Sequence, residues 1–335
     1  MERLKVALMG LTGVGEDYLS AIRSDDQFDL VAVADADPEI LRRPMDIGSA
    51  RVYEDYRSLI VETAHGGLDL LFVALEPFQS IEFVQMAAER GIGVFHKAPF
   101  ARNTREAERL VHLFEQNRCP LVVSRQWQFE PAFSPLSGLI EPNNHIHAAI
   151  AEVRTVDGPI GWRGDRVRAG GGVLLNGAYE AVDILIHLLG LPVSVYARCS
   201  SVAAPGAARN YDTEDVSIVS LSFGAERIGS VTAWRGAAEP TWRVTFISSE
   251  RTVEVCADAL TVVPHTGGRP EHHTVQTANP VSPAISAFGA SRLLEMEVGS
   301  PASTAREHLP TMAVIEAAYL AAKTGAPESP DRFLS

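Results

Sequence analysis

A short apolar run, Leu4–Met9, passes directly into Gly10-Leu11-Thr12-Gly13-Val14-Gly15 and then into a helical pattern, Val14–Ser24. No other feature of the chain restricts its fold as strongly. A glycine-rich bend between strand and helix lets backbone amides approach an anion at the helix N-terminus, where the helix dipole favours negative charge. The strict G-x-G-x-x-G pattern would place glycine at position 12; Thr12 stands there instead, with Gly13 beside it. Such a bend alone is also compatible with a purely structural turn. Asp35 sharpens the reading, because it closes a second apolar run, Phe28–Asp35, twenty residues after Gly15. A carboxylate there accepts hydrogen bonds from adenosine ribose hydroxyls and repels a 2′-phosphate. Together these features predict a dinucleotide site that takes NAD, with NADP disfavoured.

The next hundred residues extend the pattern. Leu68–Leu75 is almost wholly apolar, as expected of a parallel strand buried on both faces. Phe78–Arg90 has helical periodicity, Gly93–His96 reads as a strand, Asn103–Asn117 as a helix and Leu121–Ser124 as a last strand. Strand alternating with helix defines an α/β, doubly wound parallel sheet, a Rossmann domain, assigned to residues 1–122. In such sheets ligands bind beyond the carboxyl ends of the strands. Those ends supply the candidate cofactor contacts Gly10, Thr12, Gly13, Val14, Gly15, Asp35, Leu75, Glu76, Pro77, His96, Lys97 and Arg125. His96 either touches the cofactor ribose or packs inside. The nicotinamide is expected near Lys97 and Arg125.

Residues 123–335 read differently. His145–Thr155, Val193–Ser200, Val216–Phe223, Ile228–Trp234, Trp242–Ser248 and Thr252–Val255 are strand-like with few helices between them. A Gly-Ala-Ala-Glu-Pro turn separates Ile228–Trp234 from Trp242–Ser248, which suggests an antiparallel sheet. The domain opens with one long apolar helix near Val173–Leu189, preceded by Gly170-Gly171-Gly172, and carries a final helix at Leu309–Lys323. On a continuous helix Asn176, Glu180, Asp183 and His187 fall at i, i+4, i+7 and i+11, one polar row on an otherwise apolar surface. Such a row lines a cavity or faces solvent.

Charge and cysteine usage narrow the partners. A net charge of −13 disfavours nucleic acid, which needs a basic footprint, and anionic membranes. No apolar run reaches the roughly 18 residues of a membrane span. The first residues lack a signal-peptide core, so a cytoplasmic protein is expected. Cys119, Cys199 and Cys256 lie far apart and form no CxxC pair, which fits a reducing compartment and no zinc site. His145 and His147 share one face of a strand without an evident third ligand, so no metal is expected. His272-His273 reads as a solvated loop.

The Gly10–Gly15 turn, Val31-Ala32-Val33-Ala34-Asp35, Gly91–Ala101 (GIGVFHKAPFA), Gly170–Asp183 (GGGVLLNGAYEAVD) and Ala317-Ala318-Tyr319 before Thr324-Gly325 resemble the Gfo/Idh/MocA oxidoreductase family over nearly the whole chain. The resemblance implies an N-terminal Rossmann domain and a C-terminal α+β domain, residues 123–335, with a large open, mostly antiparallel sheet. That sheet implies a homodimer or homotetramer. It also implies hydride transfer between a nicotinamide and a sugar, inositol or related polyol. The catalytic motifs are altered. The family usually reads Glu-Lys-Pro; aligned on Pro99, this chain has Lys97 at the glutamate position and Ala98 at the lysine position. The family's aspartate and histidine positions hold Asn176 and Glu180, while Asp183 is kept. Alcohol oxidation needs a group that takes the hydroxyl proton, and a tuned carboxylate can serve. The catalytic candidates are therefore Glu180 as base, Lys97 to orient the hydroxyl or pair with Glu180, Asn176 as a non-titrating hydrogen-bonder, Tyr179 as a second proton-transfer group, and Asp183. Trp162, Arg163, Arg125 and Gln126 are candidate substrate contacts. Two alternatives stay open: a non-catalytic nucleotide- or ligand-binding regulator, and redox-neutral chemistry with tightly held NAD.

Overall fold

The computed structural model describes residues 3–133, 135–139, 146–158, 160–201, 210–224, 226–275, 279–290 and 304–334. Strands β1 (Leu4–Met9), β2 (Phe28–Ala34), β3 (Arg51–Tyr53), β4 (Leu70–Val73), β5 (Gly93–His96) and β6 (Leu121–Val123) form one sheet in the order β3-β2-β1-β4-β5-β6. All five neighbouring pairs are parallel. This is the doubly wound order of a dinucleotide-binding fold, with its switch point between β1 and β4. Leu70, Leu71, Phe72 and Val73 are fully buried, as their unbroken apolar run demands. The helices of this part are α1 (Val14–Ser24), α2 (Pro38–Leu41), α3 (Tyr56–Ala64), α4 (Pro77–Ala88) and α5 (Thr104–Gln116).

The first compact unit comprises Met1–Ala101, Glu106–Phe129 and Asn279–His308; the second comprises Arg102–Arg105, Glu130–Ala278 and Leu309–Ser335. Residues 279–290 and 304–308, grouped with the C-terminal domain in the sequence reading, fall in the first unit. The cause is the helix α10 (Val281–Ala290). Its Phe288 is fully buried against Phe95, ring centroids 5.3 Å apart, a burial that contributes roughly 2–3 kcal/mol. Ser286 also donates to Asp25 at 2.6 Å.

The second unit is built on an eight-stranded sheet of β7 (Ile146–Thr155), β8 (Ser194–Ser200), β9 (Val216–Ser222), β10 (Ile228–Arg235), β11 (Thr241–Ser248), β12 (Arg251–Cys256), β13 (Ala259–Pro264) and β14 (Glu271–Thr274). The order is β14-β13-β12-β11-β7-β10-β9-β8. Every pairing is antiparallel except β7 with β10. The two strands flanking the Gly-Ala-Ala-Glu-Pro turn therefore do not pair with each other; β7 lies between them. His272 and His273 lie on the exposed strand β14, not in a loop. His147 is exposed and His145 lies outside the described residues. Besides short α6 (Leu136–Leu139) and α7 (Arg166–Ala169), this unit holds α8 (Val173–Asn176), α9 (Tyr179–Leu189) and α11 (Leu309–Thr324). α9 packs on β7 and β10, and α11 on β8. Ile150, Ile218 and Ile228, which alternate with the buried residues of their strands, are about half exposed. Among the described residues no single helix is long and apolar enough to cross a membrane.

The predicted helix Val173–Leu189 is two helices. α8 ends where Gly177 and Ala178 both donate to the Val173 carbonyl, at 2.9 Å each, and the axis of residues 166–176 meets that of α9 at 56°. A helical periodicity counted through such a break does not describe a shared face. Glu180, Asp183 and His187 keep their row on α9; Asn176 leaves it.

Candidate active site

In the first unit the bend after β1 is closed by its own backbone. The Gly10 amide donates to Ala34 O at 2.9 Å and the Leu11 amide to the Asp35 carboxylate at 2.8 Å. The other Asp35 oxygen accepts from Asp37 N at 3.0 Å. Asp35 is buried and holds the bend to the end of β2, so the carboxylate and the glycine turn share one place, as the sequence requires. Gly13 caps α1 without a side-chain hydrogen bond, and a Cβ there would meet nothing within 4 Å. The first amides of α1 lack intrahelical acceptors by construction. An open, amide-rich helix N-terminus beside a fixed carboxylate fits the pyrophosphate and adenosine ribose of a dinucleotide. Gly15 is a different case, since a Cβ would lie 2.2 Å from Gly10 O. Gly15→Ala must open the bend, and the expected result is a loss of dinucleotide affinity of at least ~10-fold by isothermal calorimetry, the worth of about 1.4 kcal/mol. Unchanged affinity would remove the bend from the site.

At the ends of β4 and β5, Lys97 Nζ donates to Glu76 Oε1 at 2.5 Å, with both side chains about one-fifth exposed. The carboxylate that Lys97 pairs with is thus Glu76. Leu75 is buried, and Pro77 takes the first helical position of α4. His96 is buried, and both ring nitrogens are taken: Nδ1 lies 2.6 Å from Lys97 O and Nε2 2.9 Å from Ser80 Oγ. Burial pushes its pKa down to about 4. Arg125 is also buried, donating to Glu307 Oε2 at 3.0 Å and Glu307 O at 3.1 Å. It anchors the returning segment 304–308, a role invisible across 182 residues of sequence.

In the second unit the glycine triplet is packed at close quarters. A Cβ on Gly172 would lie 2.1 Å from Glu214 O. Glu214 is a buried carboxylate that accepts from Gly172 N (2.8 Å), Leu174 N (3.1 Å) and Tyr319 OH (2.8 Å). Burial, then the Glu214 charge, raises the Tyr319 phenol well above its ordinary value. Asn176 donates to the carbonyls of Ala169, Gly171 and Gly172 at 2.9–3.3 Å. It braces the triplet. Trp162 and Arg163 stack on each other, 4.7 Å from guanidinium to ring centroid. Gln126, in the first unit, opens the short 3-10 helix Gln126–Phe129.

Glu180 lies in the first turn of α9, partly buried, next to buried Tyr179. Its carboxyl is pushed up to about 7 by burial and then by the charges of Glu130 and Asp183. Burial raises Glu130 as well. Asp183 is buried and accepts from Thr311 Oγ1 at 2.9 Å. A carboxyl that titrates near neutrality exchanges protons in either direction. Glu130 and Glu214 escaped the sequence reading. Glu214-Asp215 just before the apolar strand Val216–Ser222 was the available signal for the second, and nothing local marks the first. No grouping that could hold a metal ion is present among the described residues.

A parallel sheet of this order with a dinucleotide-type bend, joined in one chain to a unit built on a large mixed sheet, is the architecture of a nicotinamide-nucleotide oxidoreductase class. The family model described as an oxidoreductase family with an NAD-binding Rossmann fold matches residues 4–125, and the GFO/IDH/MocA C-terminal domain matches residues 137–263. The chain belongs to the Gfo/Idh/MocA oxidoreductase family. It is 25% identical over 358 aligned residues to a D-apiose dehydrogenase of Paraburkholderia graminis, covering 97% of this chain and 89% of that protein. It is 24% identical to the D-xylose 1-dehydrogenase (NADP(+)) 2 of Haloferax volcanii, covering 95% and 97%. Its fold matches that of a levoglucosan dehydrogenase solved with NADH and L-sorbose, with a TM-score of 0.85 at 18% identity and coverage of 99% and 100%.

Proposed function

We propose that this chain is an NAD-dependent dehydrogenase that oxidises a hydroxyl of a sugar or closely related polyol. The observation that carries the reading is Glu180, a carboxyl moved to about 7 at the start of α9. It stands where the family usually has histidine, and it restores a group that titrates in the same range. The sugar-dehydrogenase relatives support the substrate class.

In this reading the Gly10–Gly15 bend holds the pyrophosphate and Asp35 the adenosine ribose. The bound nicotinamide supplies the hydride acceptor. Glu180 as carboxylate takes the proton of the reacting hydroxyl, and in the reverse direction returns it. Lys97, charge-compensated by Glu76, donates to the substrate oxygen. Asn176 and Asp183 hold the glycine loop and α9 in place, and Tyr179 packs beside the base. Oxidation accordingly rises with pH through about 7 and reduction falls. The proposal includes a cytoplasmic homo-oligomer. Cys119, Cys199 and Cys256 are free thiols, and Ile150, Ile218 and Ile228 leave apolar surface exposed on β7, β9 and β10.

The test is a panel of aldoses and polyols with NAD+ and NADP+, read by absorbance of the reduced nicotinamide. At least one aldose should be oxidised, with NAD+ giving at least ~10-fold higher kcat/KM than NADP+ because Asp35 repels the extra phosphate. Dinucleotide binding without turnover of any compound would favour the regulator instead. NADP+ preference would overturn the role given to Asp35.

A further inference from the structure

Four residues at the carboxyl ends of β4 and β5 close a ring of hydrogen bonds. The Ser80 amide donates to Glu76 O at 3.0 Å, one turn into α4. The Ser80 hydroxyl meets His96 Nε2 at 2.9 Å, His96 Nδ1 meets Lys97 O at 2.6 Å, and Lys97 Nζ returns to Glu76 Oε1 at 2.5 Å. The chemistry fixes each proton. A carbonyl only accepts, so Nδ1 carries the imidazole hydrogen; Nε2 is then the acceptor and the Ser80 hydroxyl the donor. Ser80 and His96 are both buried, so water does not compete for these bonds. The backbone of the same stretch is clamped from both sides, with Lys97 N on Val73 O at 3.3 Å and Ser124 N on His96 O at 3.2 Å.

The ring bears on an anomaly of the sequence. Against the family's Glu-Lys-Pro, the lysine here is displaced by one residue, and a shift of one position in a strand turns a side chain to the other face. Lys97 follows the last residue of β5, so its direction is set by how the chain leaves the strand, not by the pleat. Beyond those two backbone bonds, the Lys97 carbonyl is held by a side chain, that of His96.

We propose that Ser80 and His96 are positioning residues that lock the Lys97 peptide and so deliver the displaced lysine to Glu76 at the catalytic rim. This rests on the reading of Lys97 as a substrate-facing cation and adds the two residues that make the displacement workable. His96 stays neutral under working conditions, since burial holds its pKa near 4, so its direction of donation does not change across the physiological range.

The test compares the wild type with Ser80→Ala, Ser80→Thr and His96→Phe in the full chain with NADH bound. Selective 15N-histidine NMR reads the His96 tautomer, with His96→Phe assigning the signal. Timed acetylation with mass spectrometry reads the exposure of Lys97 Nζ. Wild type and Ser80→Thr should show the Nδ1–H form and slow acetylation. Ser80→Ala should keep the Nδ1–H form that the Lys97 carbonyl selects but shift the Nε2 resonance, which loses its donor, speed Lys97 acetylation, and lower kcat for the sugar about 5- to 10-fold with the NAD+ affinity unchanged, the worth of one buried hydrogen bond. An Nε2–H form in the wild type, or a Ser80→Ala protein with an unaltered Nε2 resonance, labelling or kcat, would overturn the proposal. If the wild type oxidises no sugar, the tautomer and labelling still decide the ring, and only the dehydrogenase reading falls.

Discussion

Glu180→Gln is expected to lower kcat/KM for sugar oxidation about 100- to 10,000-fold, the range set by loss of a positioned proton acceptor. The wild-type rate should rise with pH through about 7, where the Glu180 carboxyl ionises, and that limb should vanish in the variant. The same substitution has an opposite effect on stability. The folded state binds the Glu180 proton more tightly than the unfolded chain does, its pKa moving from 4.5 to about 7. The stability this contributes is fully present below about 4.5 and is lost as pH rises through about 7. Glutamine never ionises, so at pH near 8 the variant should resist urea better than the wild type. The gain is on the order of 2 kcal/mol once solvent screening of a partly buried group is allowed for. Near pH 4 the two proteins should unfold alike. A protein that is inactive yet more stable in alkali is the signature of a base held at a cost to the fold. Full activity in Glu180→Gln, or equal stability at both pH values, would remove Glu180 from the mechanism.

The first unit was the more legible part of this chain, because its signals are local. Leu4–Met9 and Gly93–His96 fall where the apolar runs put them, since their buried stretches Val6–Met9 and Gly93–Phe95 carry no polar interruption. Strand Arg51–Tyr53 was missed for the complementary reason: it is a three-residue edge strand without a buried residue. The helix break at Gly177 was hidden because apolar residues continue through it on both sides, so composition reads straight across a 56° bend. Within the candidate site, residue positions were readable and partners were not. Glu76 and Lys97 were both placed at the strand ends, but their ion pair joins two strands 21 residues apart. Arg125 was expected at the cofactor from its place at a strand end, and its partner Glu307, which returns from far along the chain, was not foreseen. Glu180 was identified as a base from its motif position. Burial raises its pKa most, and Glu130, fifty residues earlier, adds to the rise; no periodicity connects the two residues.

The acidic run that opens β9 carries the largest expected effect on stability. Asp215 and Arg235 are nearly buried, side chains 9% and 5% exposed, and meet at 2.6 Å. Tyr211 OH donates to the second Asp215 oxygen at 2.5 Å. Arg235 also donates to Thr213 Oγ1 at 2.8 Å and reaches the carbonyls of Thr213 and Arg163. Next in sequence, Glu214 holds the glycine triplet. One dipeptide therefore ties β10 to the glycine loop that precedes α8 and α9. Removing a single member of a buried pair leaves the other charge without compensation, so Asp215→Ala should cost about 3–5 kcal/mol. Removing both charges avoids that penalty, and Asp215→Leu combined with Arg235→Met should be more stable than Asp215→Ala alone. Urea unfolding of the three proteins reads the difference directly. The double variant should also retain more turnover, because Glu214 and the triplet then sit in a folded frame. Asp215→Ala unfolding within about 1 kcal/mol of the wild type would mean that the pair is solvated in practice and that Glu214 alone carries the loop.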